Sequence, residues 1–410
     1  MAKLHLFEAY GIELEYMLVS EKTLDILPKA DDVLAAQAGG EITSDVEFPD
    51  ITWSNELVRH VLELKTTEPR ADLSGLADAM QAHVDRLNVL AAPIGGRLLP
   101  TAMHPWMNPG REMELWPHDN HVIYDTFNRI FDCRGHGWAN LQSMHINLPF
   151  TGDAEFGRLH AAVRLVLPIL PALAASSPVV EGEPTGLLDS RLEQYRTNSR
   201  RIASITGRVV PEPVYTQADY DREIFQPMFR DIAPHDPTGV LQQEFLNARG
   251  AIARFGRGSI EIRVIDLQEC PQADIAIARL VIDVLKRLVD ETWTPLDRQQ
   301  RVAVTPLETV LLRAIRDGEA AVIEDADYLA HFGFAPGQPA TAAELWRHLA
   351  DGARDAALRP GGESYAPLQT VLSEGTLSRR ILKALSSGTS LKEVYGRLAD
   401  GLAAGRMFVP

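Results

Sequence analysis

An α+β fold, an antiparallel sheet with helices on one face and a polar, open face on the other, is what this 410-residue chain predicts. Four separated stretches alternate apolar and polar residues with the period of two that marks a half-covered strand. Helical periodicity fills the stretches between them. From about residue 292 onward the pattern is helical alone, which divides the chain into a sheet-bearing region, 1–291, and a helical C-terminal region, 292–410, packed on it.

The first alternation spans 11–19, Gly-Ile-Glu-Leu-Glu-Tyr-Met-Leu-Val. Ile12, Leu14, Tyr16 and Leu18 share one parity, Glu13 and Glu15 the other. Two carboxylates stacked on one strand face repel, and a divalent metal or neighbouring arginines between them would relieve the repulsion. Taken alone, the stretch reads better as a half-exposed edge strand with two solvated glutamates; the recurrence of the arrangement in later strands tips the balance. Residues 21–40 form a short helical excursion ending at Gly39-Gly40. A second strand covers 61–66, with Leu62 and Leu64 to one face and Glu63 and Lys65 to the other; Glu56 stands seven positions before Glu63. Pro69 stops it. Asp72 or Ser74 would cap a helix whose apolar residues are Leu73, Leu76, Met80, Val84 and Leu87.

Residues 100–142 read as irregular, with His104, His118, His121 and His136 among Trp106, Trp116 and Trp138. The His-x-x-His pair at 118 and 121 lacks a nearby cysteine or acidic motif and reads as loop histidines lining a cleft. The third strand, 143–150, sets Met144, Ile146 and Leu148 against His145 and Asn147. The apolar run at 161–175 is broken by Arg164, Pro168 and Pro171; it is too short for a bilayer span and reads as a buried, kinked helix. Arg191, Arg196, Arg200 and Arg201 then fall within eleven residues of an otherwise acidic chain, interleaved with Tyr195 and Asn198. They form either a solvated helix face or a clamp of guanidinium forks for carboxylate or phosphate. The fourth strand, 259–266, turns Ile260, Ile262 and Val264 to the core and Glu261 and Arg263 away from it. Pro271 opens an amphipathic helix.

A hydrophobic content of 45% with 23% charged residues describes a globular protein. The net charge of −16 disfavours nucleic acid or an anionic membrane as partner. With only Cys133 and Cys270 there is no disulfide framework, and an acid at Glu8 interrupts any signal-peptide core, so a cytoplasmic location is expected. Phosphate-loop, dinucleotide-binding, zinc-protease and serine-hydrolase motifs are absent. Four strands collecting carboxylates, one histidine and one arginine on a shared face suggest phosphate chemistry run by magnesium.

The stretches Gly-Ile-Glu-Leu-Glu-Tyr (11–16), Glu56 with Glu63, Met-His-Ile-Asn-Leu-Pro (144–149), the arginine run and Ile-Glu-Ile-Arg-Val-Ile-Asp (260–266) resemble, in order, the glutamate–cysteine ligase type 2 family of carboxylate–amine ligases. The resemblance implies a glutamine-synthetase-like sheet holding ATP and magnesium. It implies Glu13, Glu15, Glu56, Glu63, His145 and Glu261 as metal ligands. It implies Arg263 and Glu261 at the transferred phosphoryl group, and Arg191, with Arg196, Asn198 and Arg200, around the amino-acid substrate. The implied reaction activates a carboxylate of glutamate as an acyl phosphate for attack by cysteine, as in glutathione biosynthesis, or by another amine. A guanido-kinase-like phosphotransferase and a non-catalytic binding protein are the alternatives. The helical tail would cover the fold or form a homodimer contact.

Overall fold

The structure is a computed structural model that describes residues 3–410. Its chain order begins with β1 (Gly11–Ser20), α1 (Ala30–Gln37), β2 (Asp45–Glu47), β3 (Ile51–Asn55), β4 (Val61–Thr66), α2 (Leu76–Ala91) and β5 (Gly96–Leu99). Three helices follow where an irregular loop was expected: a single turn at Pro109–Glu112, then α3 (His121–Phe131) and α4 (His136–Ala139). Then come β6 (Ser143–Pro149), α5 (Gly152–Val166), α6 (Ser190–Asn198), β7 (Ala251–Arg254), β8 (Ser259–Asp266) and α7 (Pro271–Val289).

The large sheet runs β2-β3-β4-β1-β6-β8-β7, and every pairing is antiparallel. β1 is long enough to serve two partners along one edge: Gly11–Leu14 pair with β6 and Met17–Ser20 with β5. Ile12, Leu14, Tyr16, Leu62, Leu64, Met144, Ile146, Ile260 and Ile262 all point into one core, shared with Met80, Val84 and Leu87 of α2 and the apolar faces of α5 and α7. The proline-broken helix is found as expected: α5 passes into a tight turn of 3-10 helix at Leu167–Ile169 and a last helical turn at Pro171–Ala174. Neither Asp72 nor Ser74 caps α2; Gly75, in the left-handed conformation at φ 65°, is the cap residue instead.

The front face changes character halfway along β1. Glu13 and Glu15 keep it polar, but Met17 and Val19, on the same parity, are apolar and fully buried. Two helices from the end of the chain, Leu377–Ser386 and Leu391–Ala403, cover them through Ile381, Val394, Tyr395 and Leu398. An earlier tail helix, Val304–Asp317, joins the main core. The C-terminal region therefore leaves only the acidic half of the face open. The first of these two end helices is tied down by a wholly buried ion pair between Arg380 and Glu269, and Arg380 also donates to the Phe408 carbonyl near the end of the chain at 2.5 Å.

In β8 the ladder slips. Ile262 lies opposite Ile146 and Ile265 opposite Met144, so Arg263 and Val264 together face His145 across a β-bulge. Strict alternation would put Asp266 in the core with Val264. The extra residue instead sets Asp266 opposite Ser143, on the polar side.

Candidate active site

Register alone brings the predicted acids together. Glu13 lies opposite Lys65 on one flank and His145 on the other, Glu15 lies opposite Glu63, and Glu261 lies opposite Asn147. Two donor sets result, Glu13 with Glu63 and His145, and Glu15 with Glu56 and Glu63. Within each, ligand atoms lie within 4.8 Å of one another. Glu63 belongs to both.

The cations needed to hold this cluster are interleaved with it. His145 Nδ1 lies 2.8 Å from Glu13 Oε2, and Asn147 Nδ2 donates to Glu13 Oε1 at 2.9 Å. A chain runs from His145 Nε2 through Ser143 Oγ (2.9 Å) to Glu15 Oε2 (3.0 Å). Lys65 Nζ sits 3.1 Å from Glu63, and Ser54 of β3 donates to the same carboxylate at 2.8 Å. Arg263 and Arg254 grip Glu261, the latter at 2.9 Å.

Ionisation follows this geometry. Burial lowers the pKa of the His145 imidazole, but the Glu13 hydrogen bond and the charges of Glu15 and Glu13 outweigh it and raise the value to about 9. Burial is likewise opposed at Glu261, where Arg263, His145 and Arg254 hold the carboxyl at about 2. Glu63 is pushed up to about 7 by burial and then by Glu13, and Glu56 is raised strongly by burial, Glu63 and Glu15. The carboxyls that retain protons are thus the shared one and its neighbour. A divalent cation would replace those protons. Clustered hard oxygens fit magnesium, with His145 the one softer donor.

The arginine run is divided among three surroundings. Arg191 of α6 is buried, its Nε donating to Asp266 Oδ1 at 2.6 Å, and its Nη2 has no partner. It lies close enough to Glu15 to feel its charge. Arg196 instead pairs with Glu193 at 2.6 Å, and Arg200 is exposed. Asn198 donates to the Gly137 carbonyl at 2.9 Å and accepts from Trp138 Nε1 at its own carbonyl, 3.2 Å. It holds the aromatic loop rather than lying among the acids. His118 pairs with Asp31 at 2.9 Å, while His121 bonds the His118 carbonyl, so the His-x-x-His pair is divided between two partners.

Several site residues were not read from the sequence. Ser54 and Arg254 lie on β3 and β7, short strands overlooked beside stronger alternations. Asp266 is on the polar side only because of the bulge. Tyr124 of α3 accepts a hydrogen bond from Asn55 Nδ2 at 3.1 Å, and burial followed by the Glu56 charge raises its pKa to about 12. Its only signal was its i, i+3, i+7 spacing with Phe127 and Phe131.

The acids lie between the two ends of this strand face. At the Gly11 end, a cleft of about 760 Å3 is lined by Glu13, Lys65, Asn147, Phe150, Phe255 and Arg257. At the other end lie Asn55, Tyr124 and the aromatic loop.

Known proteins agree with this architecture. The crystal structure of glutamate–cysteine ligase from Francisella tularensis in complex with AMP superposes with a TM-score of 0.60, covering 98% of this chain and 89% of that one at 14% identity. A bifunctional glutathione synthetase from Pasteurella multocida gives 0.59, covering 97% of this chain and 52% of that one at 15% identity. These likenesses are of fold. An uncharacterized protein from Archaeoglobus fulgidus is 32% identical over 273 residues, 67% of this chain and 73% of the relative. The profile of glutamate–cysteine ligase family 2 matches residues 9–396, nearly the whole chain. This chain belongs to that family and is an ATP-dependent carboxylate–amine ligase.

Proposed function

We propose that the protein joins the γ-carboxylate of glutamate to an amine, consuming ATP with magnesium and passing through an acyl phosphate. The observation that carries this reading is the pair of carboxylate donor sets sharing Glu63, with Arg263 beside them. In the first step a γ-carboxylate oxygen attacks the terminal phosphorus of ATP, the bond to ADP breaks, and γ-glutamyl phosphate forms. In the second, the amine nitrogen attacks the acyl carbon, the carbon–oxygen bond to phosphate breaks, and the amine proton is lost as phosphate leaves.

The cleft beside Glu13 is where we place the nucleotide. Lys65 and Arg257 face its phosphates there, and Phe150 and Phe255 supply apolar surface. Glu13, Glu15, Glu56, Glu63, His145 and Glu261 would hold magnesium, which supplies neutralisation of phosphate oxygens. Arg263, held by Glu261, stabilises the negative charge that develops on the transferred oxygens. Arg191, with one guanidinium nitrogen free, receives a carboxylate of the amino acid. The two buried, unpaired cysteines suit a reducing compartment, which we take to be the cytoplasm.

Labelled oxygen tests the route. Glutamate carrying heavy oxygen in its γ-carboxylate should yield phosphate with one heavy atom per amide formed. Unlabelled phosphate accompanying amide formation would rule out the acyl phosphate, and phosphorylation of the amine itself would mark a kinase.

A further inference from the structure

The amine must approach the acids from somewhere, and the cleft at the Gly11 end is taken by the nucleotide in the reading above, on which this inference rests. The opposite end carries a run of partly buried aromatic rings, of which Tyr124, Phe127 and Phe131 also pack against the main core. Tyr124 stands over Asn55, whose Nδ2 also bonds the Glu56 carbonyl at 3.0 Å, so its hydroxyl is fixed at the margin of the acidic cluster. Phe127 and Phe131 share its helix face, while Thr126 and Ile130 of the same helix are buried towards the core. Trp138 of α4 completes the group, its ring centroid 5.3 Å from Phe127 and 5.4 Å from Phe131.

These rings are held in place. Asn198 bonds both the Gly137 carbonyl and the Trp138 indole, and Arg201 donates to the Ile130 carbonyl at 2.6 Å. Gly137 permits the close approach, since a Cβ there would lie 2.8 Å from Asn198 Cβ and 2.9 Å from the Gln194 carbonyl. A rigid wall of rings beside carboxylates suits a substrate with an amine at one end and a π-system at the other.

We propose that Tyr124, Phe127, Phe131 and Trp138 form the acceptor subsite, and that the acceptor is a primary amine bearing an aromatic ring. The acids attract the amine end, and the rings select the substituent. Cysteine would leave the wall uncovered.

The test compares three acceptors in the presence of glutamate, ATP and magnesium. Hydroxylamine, which needs no side-chain pocket, reports acyl phosphate as γ-glutamyl hydroxamate. 2-Phenylethylamine and n-butylamine report the preference for a ring. The wild-type protein should favour phenylethylamine in kcat/KM by about tenfold or more, the difference lying chiefly in KM. Phe127→Leu and Trp138→Leu should each lower that ratio several-fold. Val122→Ala, at an exposed position of the same helix, should leave it unchanged. Hydroxamate formation with equal use of both amines would overturn the subsite while leaving the ligase reading intact. Absence of hydroxamate would overturn both. A ratio unmoved by either leucine variant would remove these residues from acceptor selection. The wild-type comparison needs no variant, so a misfolded mutant would not spare the proposal.

Discussion

Glu63→Gln separates the site's chemistry from its stability, because the same carboxyl that serves both donor sets is costly to bury. Its pKa is raised from an ordinary 4.5 to about 7, burial being the main cause and Glu13 the next, with Lys65 opposing both. For an acid raised in the folded state the sign is unfavourable to folding. Below about pH 4.5 the carboxyl is protonated in both states and costs nothing. The cost grows as the pH rises through the window from 4.5 to 7 and is constant above it. At about 1.4 kcal/mol per pH unit this reaches about 3 kcal/mol. Glutamine is free of that cost, which already includes the opposing attraction of Lys65, and gives up part of the Ser54 hydrogen bond, so the net gain should be about 2 kcal/mol at pH 8. Without metal, the glutamine variant should therefore melt at or above the wild-type temperature at pH 8 and lose that advantage by pH 5. Adding magnesium should raise the wild-type melting temperature and barely move the variant's. Turnover should fall by at least about 100-fold. A variant that unfolds at pH 8, or one that keeps a near-normal rate and its magnesium response, would refute the reasoning.

Other outcomes follow from the same geometry. Arg263→Ala should lower kcat by two to three orders of magnitude, about 2.7–4 kcal/mol, with a smaller effect on KM, measured by steady-state kinetics. Arg191→Ala should weaken glutamate binding and also lower stability by about 3–5 kcal/mol, because it leaves Asp266 buried without its guanidinium; denaturant unfolding should show this loss even without substrate. Burial pushes the His160 imidazole down to about 3, so between pH 6.5 and 3 the unfolded chain takes a proton that the folded one refuses. The stability deficit of His160→Gln relative to wild type should therefore shrink by about 1.4 kcal/mol per unit as the pH falls through that window, as read from urea midpoints. Gly137→Ala should cost about 1–3 kcal/mol by forcing the new Cβ against Asn198 and the Gln194 carbonyl, measured by thermal melting.

Much of the sheet was legible because one covered face imposes strict alternation. Glu13, Glu63, His145 and Glu261 fall on the predicted side for the same reason that Leu14, Leu64, Ile146 and Ile262 fall in the core. What stayed hidden left a weak local signal or none. β3 does alternate, with Ile51 and Trp53 in the core and Thr52 and Ser54 on the polar side, but the run is five residues long and its polar members are uncharged, so it stands out little beside the acidic strands. α3 begins after Asn120 in the left-handed conformation, with no side-chain cap to announce it. The arginine run was legible as an anomaly, but clustering in sequence says nothing about which guanidinium turns inward, and only Arg191 is buried. The tail's place over Met17 and Val19 is visible in retrospect as the point where the first strand's polar parity ends.

The slipped ladder in β8 constrains how relatives of this chain can diverge. Between Arg263, which serves the phosphoryl group in the proposed mechanism, and Asp266, which anchors Arg191, the residue count has a geometric meaning. Deleting either Val264 or Ile265 would restore a regular ladder and rotate the aspartate away from its guanidinium. Substitution at those two positions changes packing, whereas a one-residue gap changes which side of the sheet the next residue faces. Alignments of distant members should therefore keep Glu-x-Arg-x-x-Asp free of gaps even where every apolar residue within it has been replaced.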